Sequence, residues 1–164
     1  MNLQPLLQQL NILLSTETQL AAILPRVAES VEHRPLRRTL RVCFAETRRQ
    51  RDHLRRVGTK EGLRMKDTVC TPTWSLLRDL SEVVEMPFVS ATHELLLVNK
   101  LRLIKGCQIT SYATAVLYAK RLTYSNLSRQ LVLLQHRAEN AEAHLARIVQ
   151  DELTNRLTEV RWAV

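Results

Sequence analysis

Glycine, proline and cysteine are scarce in this 164-residue chain, which has three glycines, five prolines and three cysteines. So few turn formers exclude a turn-rich β fold and favour long helices. The cysteines Cys43, Cys70 and Cys107 are odd in number and far apart, and none forms a CxxC pair. They are therefore expected to be reduced thiols, not a disulfide framework or a zinc site.

Long apolar runs and targeting signals are also missing. No stretch of about 18 uninterrupted apolar residues exists, so a membrane span is not expected. The first residues, MNLQPLLQQLNILL, lack the basic region and small-residue cleavage site of a signal peptide. We therefore expect a cytoplasmic protein that does not enter the membrane. Nor is there a GxSxG motif or a glycine-rich phosphate loop to indicate an enzyme of a common class.

What the chain does have is helical periodicity over most of its length. Pro25 is expected to kink the first helix, and Thr73 to cap a short third one. The plan is two long helices, a long crossover (58–73) with a short helix, and two more long helices, which is typical of a ferritin-like four-helix bundle. We expect one domain over residues 1–160 and a tail at 161–164. The predicted helices are about Leu3–Val31, Pro35–Val57, Trp74–Glu85, Val89–Leu122 and Ser125–Leu157.

One acidic residue lies on an otherwise apolar helix face. In the stretch LLSTETQLAAILPRVAES, Glu17 is spaced three or four residues from Leu13, Leu14 and Leu20. A buried carboxylate needs a proton, a cation or a metal. Ferritin-like metal sites take ligands from inward faces of several helices at one depth. The inward polar candidates here are Glu17, then Glu46 and Gln50 on the second long helix, Lys105 and Gln108 on the third, and Glu142 on the fourth.

These positions carry a family resemblance over nearly the whole chain. The chain resembles the YciE/YciF-type ferritin-like family of bacterial stress-associated proteins. The resemblance implies a ferritin-like bundle, usually dimeric, with a di-metal site. The matching residues are Glu17, Gln19, Leu20, Leu24 and Pro25 in the first helix, Glu46, Thr47, Gln50 and Leu54 in the second, Cys70 in the crossover, and Glu142 in the last helix.

The chain departs from the family pattern at the ligands themselves. Lys105 and Gln108 stand where the family has two carboxylates, Ala138 replaces another, and Cys43 replaces a histidine. We therefore predict a degenerate metal site in which Lys105 acts as the counter-ion of Glu17 and the other surviving acids, and one carboxyl stays protonated. The expected protein is a non-catalytic structural or interaction protein, a homodimer, with no cofactor.

Two alternatives remain open. One is a single-metal or redox protein that holds iron or manganese at reduced stoichiometry with Glu17, Glu46 and Glu142; peroxide or oxygen chemistry would then be the only enzymatic activity.

The other alternative is polyanion, nucleic-acid or acidic-protein binding. The net charge is +8, and nine arginines lie between positions 34 and 56. Because no aromatic platform interleaves with them, they would contact phosphates and not stack on bases, and they could equally form a solvated or oligomer-facing surface. The candidates are Arg34, Arg37, Arg38, Arg41, Arg48 and Arg55.

Overall fold

The computed structural model describes residues 2–67, 71–87 and 89–161, without the side chains of Thr71 and 158–161. Every regular element in these ranges is a helix, as predicted. Cys70 and residues 162–164 of the predicted tail lie outside the described residues. The helices are α1 (Gln4–Glu29), α2 (Arg34–Lys60), α3 (Thr71–Val84), α4 (Ala91–Arg121), α5 (Ser125–Ile148), a π-turn (Val149–Leu153) and α6 (Thr154–Arg161).

Four long helices form the bundle, and the short α3 packs outside it. The pairs α1–α2 and α4–α5 pack along most of their length, and α1 also packs on α4. The α2–α5 contact is less extensive, and α3 lies over α1 and α4. The crossover between α2 and α4 therefore carries α3 across the bundle, which is the predicted arrangement.

The apolar core is divided into two clusters along the bundle axis. One cluster contains Leu20, Cys43 and Ile104, and the other contains Leu14, Leu54 and Tyr112. On α1, α2 and α4, buried polar side chains occupy the positions between the two clusters. This polar layer consists of Glu17, Thr47, Gln50, Lys105 and Gln108.

Two predicted helix ends differ from the structure. Thr73 lies inside α3, and its hydroxyl is 2.9 Å from that of Thr16, so it links α3 to α1 and does not cap α3. The last predicted helix is continuous but contains a π-turn that divides it into α5 and α6, and it extends to Arg161. Pro25 lies within α1, which continues to Glu29.

A second buried acid joins the turn between α1 and α2 to the C-terminal helix α6. Glu94, at the start of α4, is fully buried. Its Oε1 accepts hydrogen bonds from the backbone N–H groups of Glu32 at 2.6 Å and His33 at 2.8 Å, in the turn between α1 and α2. Its Oε2 pairs with Arg156 of α6. The His33 ring also contacts Glu152 at 2.9 Å, so polar side-chain contacts join the C-terminal segment to the α1–α2 turn.

Candidate site in the bundle interior

Glu17 lies at the centre of the polar layer and has one close partner. Its side chain is 0% exposed, as the spacing on α1 predicts. The hydroxyl of Tyr112, which lies on α4, donates a hydrogen bond of 2.9 Å to Glu17 Oε1. The other carboxyl oxygen, Oε2, is buried and has no hydrogen-bond partner among the described residues. The carboxyl is therefore only half satisfied.

Lys105 brings a cation into the same layer. It lies seven residues before Tyr112 on α4, so both side chains project from the same face of the helix. It is 4% exposed and forms no ion pair within 4 Å in the described part of the chain. Its charge nonetheless acts on both Glu17 and Cys43. Lys105 is thus buried in the layer without a salt-bridge partner among the described residues, and its role as the counter-ion of Glu17 stays a prediction.

Burial has the largest effect on the pKa values of Glu17, Tyr112 and Cys43. It raises the pKa of Glu17 above its usual range, and the Lys105 cation and the Tyr112 hydroxyl oppose this only in part. The Gln108 amide also lowers the pKa of Glu17, although it forms no normal hydrogen bond with the carboxyl group. Burial and the neighbouring Glu17 raise the pKa of Tyr112 well above its usual value. Burial also raises the pKa of the Cys43 thiol. The site therefore favours protonated acids over ionised ones.

Unsatisfied polar atoms mark the rest of the layer. Both side-chain polar atoms of Gln108 are buried without a partner among the described residues, and so is the hydroxyl of Thr47. Gln50 donates a long hydrogen bond of 3.4 Å to the backbone carbonyl of Leu134 on α5. Ala138, one turn further along α5, is buried and adds no polar group. Such orphaned groups are uncommon in native cores and call for a physical explanation.

The other two predicted acids point elsewhere. Glu46 is exposed on α2, although its charge still acts on Cys43. Glu142 of α5 accepts a hydrogen bond of 2.7 Å from Arg102 Nε across the α4–α5 pair. The structure therefore brings Glu17, Lys105, Gln108 and nearby Gln50 into one layer, and leaves Glu46 and Glu142 on its periphery.

The residues of this layer do not fit a pair of metal ions. A di-metal centre needs several carboxylate or imidazole ligands converging at one point. Here one carboxyl, Glu17, converges with an ammonium and two amides. Within residues 2–67, 71–87 and 89–161 no group of three or more His, Cys, Asp and Glu side chains is placed to hold a metal ion.

The predicted arginine surface lies on the exposed side of α2. Two of its six members form hydrogen bonds or ion pairs: Arg37 donates to the backbone carbonyl of Val31, and Arg55 pairs with Asp67 at 3.1 Å. Arg48 stacks over Phe44, 5.7 Å from the ring centre. In the described part of the chain, no acid lies within 4 Å of Arg34, Arg38, Arg41 or Arg48.

Sequence reasoning found some of these residues and missed others. A buried tyrosine normally packs with its hydroxyl bonded to a neighbour, and for Tyr112 the structure identifies that neighbour as Glu17. Glu94 was missed, because its partners are two backbone groups in a turn and an arginine 62 residues away. An acid in the first turn of a helix is usually attributed to the helix dipole, so no local signal separates Glu94 from an ordinary first-turn acid.

Comparison with known proteins identifies the fold. A family model described as a domain of unknown function, DUF892, matches residues 3–158. The crystal structure of the E. coli stress protein YciF has a TM-score of 0.83 at 20% identity, covering 93% of this chain and 94% of that one. YcfI from Rhodopseudomonas palustris, described as a candidate structural protein, has a TM-score of 0.81 at 22% identity, covering 89% and 94%. No curated protein matches significantly. The predicted YciE/YciF resemblance and helical bundle are confirmed.

Proposed function

Because the chain belongs to the family of the domain of unknown function DUF892, we propose that it is a non-catalytic structural or interaction protein of the YciE/YciF type. We further propose that it acts in the cytoplasm under stress as a single domain over residues 1–160. The descriptions of two similar structures, one a stress protein and one a candidate structural protein, support this role. None of the described helices is both long and apolar enough to cross a bilayer.

The observation that carries the proposal is the single buried carboxyl of the polar layer. Glu17 meets the hydroxyl of Tyr112 and the charge of Lys105, and burial raises the pKa of Glu17. A carboxyl that holds its own proton next to an ammonium needs no metal to be neutralised. In this proposal the layer is a degenerate metal site that now contributes to the shape and specificity of the bundle.

Elemental analysis of protein purified without chelators or added metal tests this proposal. We expect iron and manganese well below one ion per chain, and no peroxide consumption above that of buffer. Stoichiometric metal that is lost on Glu17→Gln would overturn the proposal and establish the single-metal alternative, in which Glu17, Glu46 and Glu142 act together.

We propose that the protein acts as a homodimer through the outer face of α4. Between Leu103 and Ala119 the only charged residue is Lys105, and it is buried. The outer face instead presents Leu103 and Leu117, which are 55% and 66% exposed, with Gly106 between them. A chain of net charge +8 repels its own copies, so an uncharged apolar face is the surface best suited to a second copy.

Light scattering coupled to gel filtration tests the dimer. Leu117→Glu should shift the protein toward monomer, because it places a charge in a self-complementary interface. Leu133→Glu on α5, which is 49% exposed in the wild type, is the matched control and should leave the mass unchanged. A dimer that survives Leu103→Glu with Leu117→Glu would exclude this face.

Polyanion binding is a second candidate, and the arginines of α2 that have no acidic partner favour it. Four of the six candidates, Arg34, Arg38, Arg41 and Arg48, lack an acid within 4 Å among the described side chains. Phosphate contacts of this kind bind without sequence preference and weaken steeply with salt. A filter-binding titration of duplex DNA should then show retention at low salt that disappears near physiological salt. Retention at background level in low salt would dismiss this candidate.

A further inference from the structure

A cavity of about 290 Å³ opens between α2 and α5, where the contact between the bundle helices is less extensive. Its apolar wall is formed by Val42 and Cys43 of α2 and Ala141 of α5. Cys43 and Ala141 are buried, whereas Val42 is 52% exposed at the rim. This volume is at the small end of ligand pockets and suits a compact organic molecule.

The polar wall of this cavity is made of side chains without partners. Arg38, Asn140 and His144 form no hydrogen bond or ion pair with any described residue, and the same holds for Arg137 and Glu46. Two other surface cavities differ in this respect. In one, Arg55 and Asp67 already pair at 3.1 Å, and in the other Arg26 pairs with Glu85 at 3.1 Å.

The helix register places the charges at two ends of the cavity. Gln50 contacts Leu134, and His53 contacts Gln130 at 2.8 Å, so α2 and α5 run antiparallel. Glu46 therefore lies at the same end as Arg137, and their charges offset each other. Arg38 lies at the opposite end with His144, where the cavity lining has no acid. That end is a net cationic corner beside an apolar floor.

We propose that this cavity binds a small amphipathic organic anion, a carboxylate or a phosphate monoester with an apolar body. The anionic group lies at the Arg38 and His144 end, where a guanidinium forms charge-assisted hydrogen bonds with it. The apolar body lies along Val42, Cys43 and Ala141. The Lys105 cation behind the floor acts on Cys43, which makes the cavity more attractive to an anion.

Fluorescence titration with 8-anilinonaphthalene-1-sulfonate, an amphipathic anion, tests the proposal on the full chain. We expect saturable binding at one site per chain. Arg38→Gln should weaken this binding about tenfold, the effect of a lost charge-assisted hydrogen bond. Arg137→Gln should weaken it less, because Glu46 already offsets that charge. Arg49→Gln removes the same charge from α2 outside the cavity lining and is the matched control, with affinity expected to stay unchanged.

Competition then identifies the chemistry. Decanoate should displace the dye, whereas neutral decanol and inorganic phosphate should not, since each has only one of the two required parts. The proposal is overturned if decanol displaces the dye as well as decanoate does, or if Arg49→Gln weakens binding as much as Arg38→Gln. It is overturned equally if the wild-type protein shows no saturable binding. Unchanged thermal melting of the three variants shows that any loss is not unfolding.

Discussion

Glu94 and Glu17 are both fully buried carboxyl groups, and they are bonded in opposite ways. Both oxygens of Glu94 are bonded, one to two backbone N–H groups and the other to Arg156. Glu17 has one hydroxyl donor and an orphaned Oε2, and its cation forms no direct pair. Glu94 is therefore fully bonded, whereas Glu17 is only half bonded and burial raises its pKa.

The difference separates two reasons for burying a polar group. Around Glu94 every bond joins segments that are distant in sequence, so the acid contributes directly to the tertiary structure. Around Glu17 the partners are incomplete, because Oε2 has no donor among the described residues.

Replacing Glu94 should cause the largest loss in the free energy of unfolding. Glu94→Ala leaves two buried backbone N–H groups without an acceptor and Arg156 without its acid. We expect the free energy of unfolding to fall by about 3 to 5 kcal/mol, measured by urea denaturation. Arg26→Ala, which breaks the exposed pair with Glu85, is the control and should cost little. Equal losses in the two variants would contradict the structural role of Glu94.

Removing the one hydrogen bond of Glu17 should cost less. Tyr112→Phe leaves both carboxyl oxygens buried without a donor, and we expect a loss of about 1 to 3 kcal/mol in the free energy of unfolding. Tyr118→Phe on the same helix is the control, since no hydrogen bond of its hydroxyl is seen among the described residues. If Tyr112→Phe is as stable as Tyr118→Phe, the Glu17 bond does not matter to the fold.

Neutralising Glu17 should stabilise the protein at neutral pH, in contrast to Glu94. Burial raises the pKa of Glu17 in the folded state, so the folded protein holds a proton that the unfolded chain has released. Stability therefore falls as the pH rises from the ordinary carboxyl range, near 4.5, through the folded pKa. Glu17→Gln should remove this slope and gain about 1 kcal/mol at neutral pH. Urea denaturation from pH 4 to pH 8 would show it, and a wild-type slope of the opposite sign would contradict it.

The coupling between Glu17 and Lys105 should be the smallest effect. The Lys105 charge opposes the rise in the pKa of Glu17, although the described residues show no ion pair of Lys105 within 4 Å. A double-mutant cycle of Glu17→Gln and Lys105→Met should give an interaction energy of about 0.5 to 1 kcal/mol. A value near zero would mean that Lys105 is not the counter-ion of Glu17.

How much of this could be predicted from the sequence depends on the range of each contact. Helical periodicity placed Glu17, Lys105 and Gln108 inward because each is fixed by residues three and four positions away. The contacts at the periphery of the site were harder to predict from the sequence. Whether Glu142 contacts Glu17 or Arg102 depends on how α5 is rotated relative to α4. The cavity between α2 and α5 has no sequence signal, because it arises where the contact between two helices is less extensive.

The π-turn between α5 and α6 sets the rotation of the α6 side chains about the helix axis. An α-helix advances about 100° around its axis with each residue, and a π-turn accommodates one extra residue without breaking the helix. Were that residue deleted, Arg156 would swing by about this angle and lose its line to Glu94. The number of residues in the π-turn therefore sets the orientation of α6 about its axis. A single-residue deletion within 149–153 would rotate a side chain that lies several positions away.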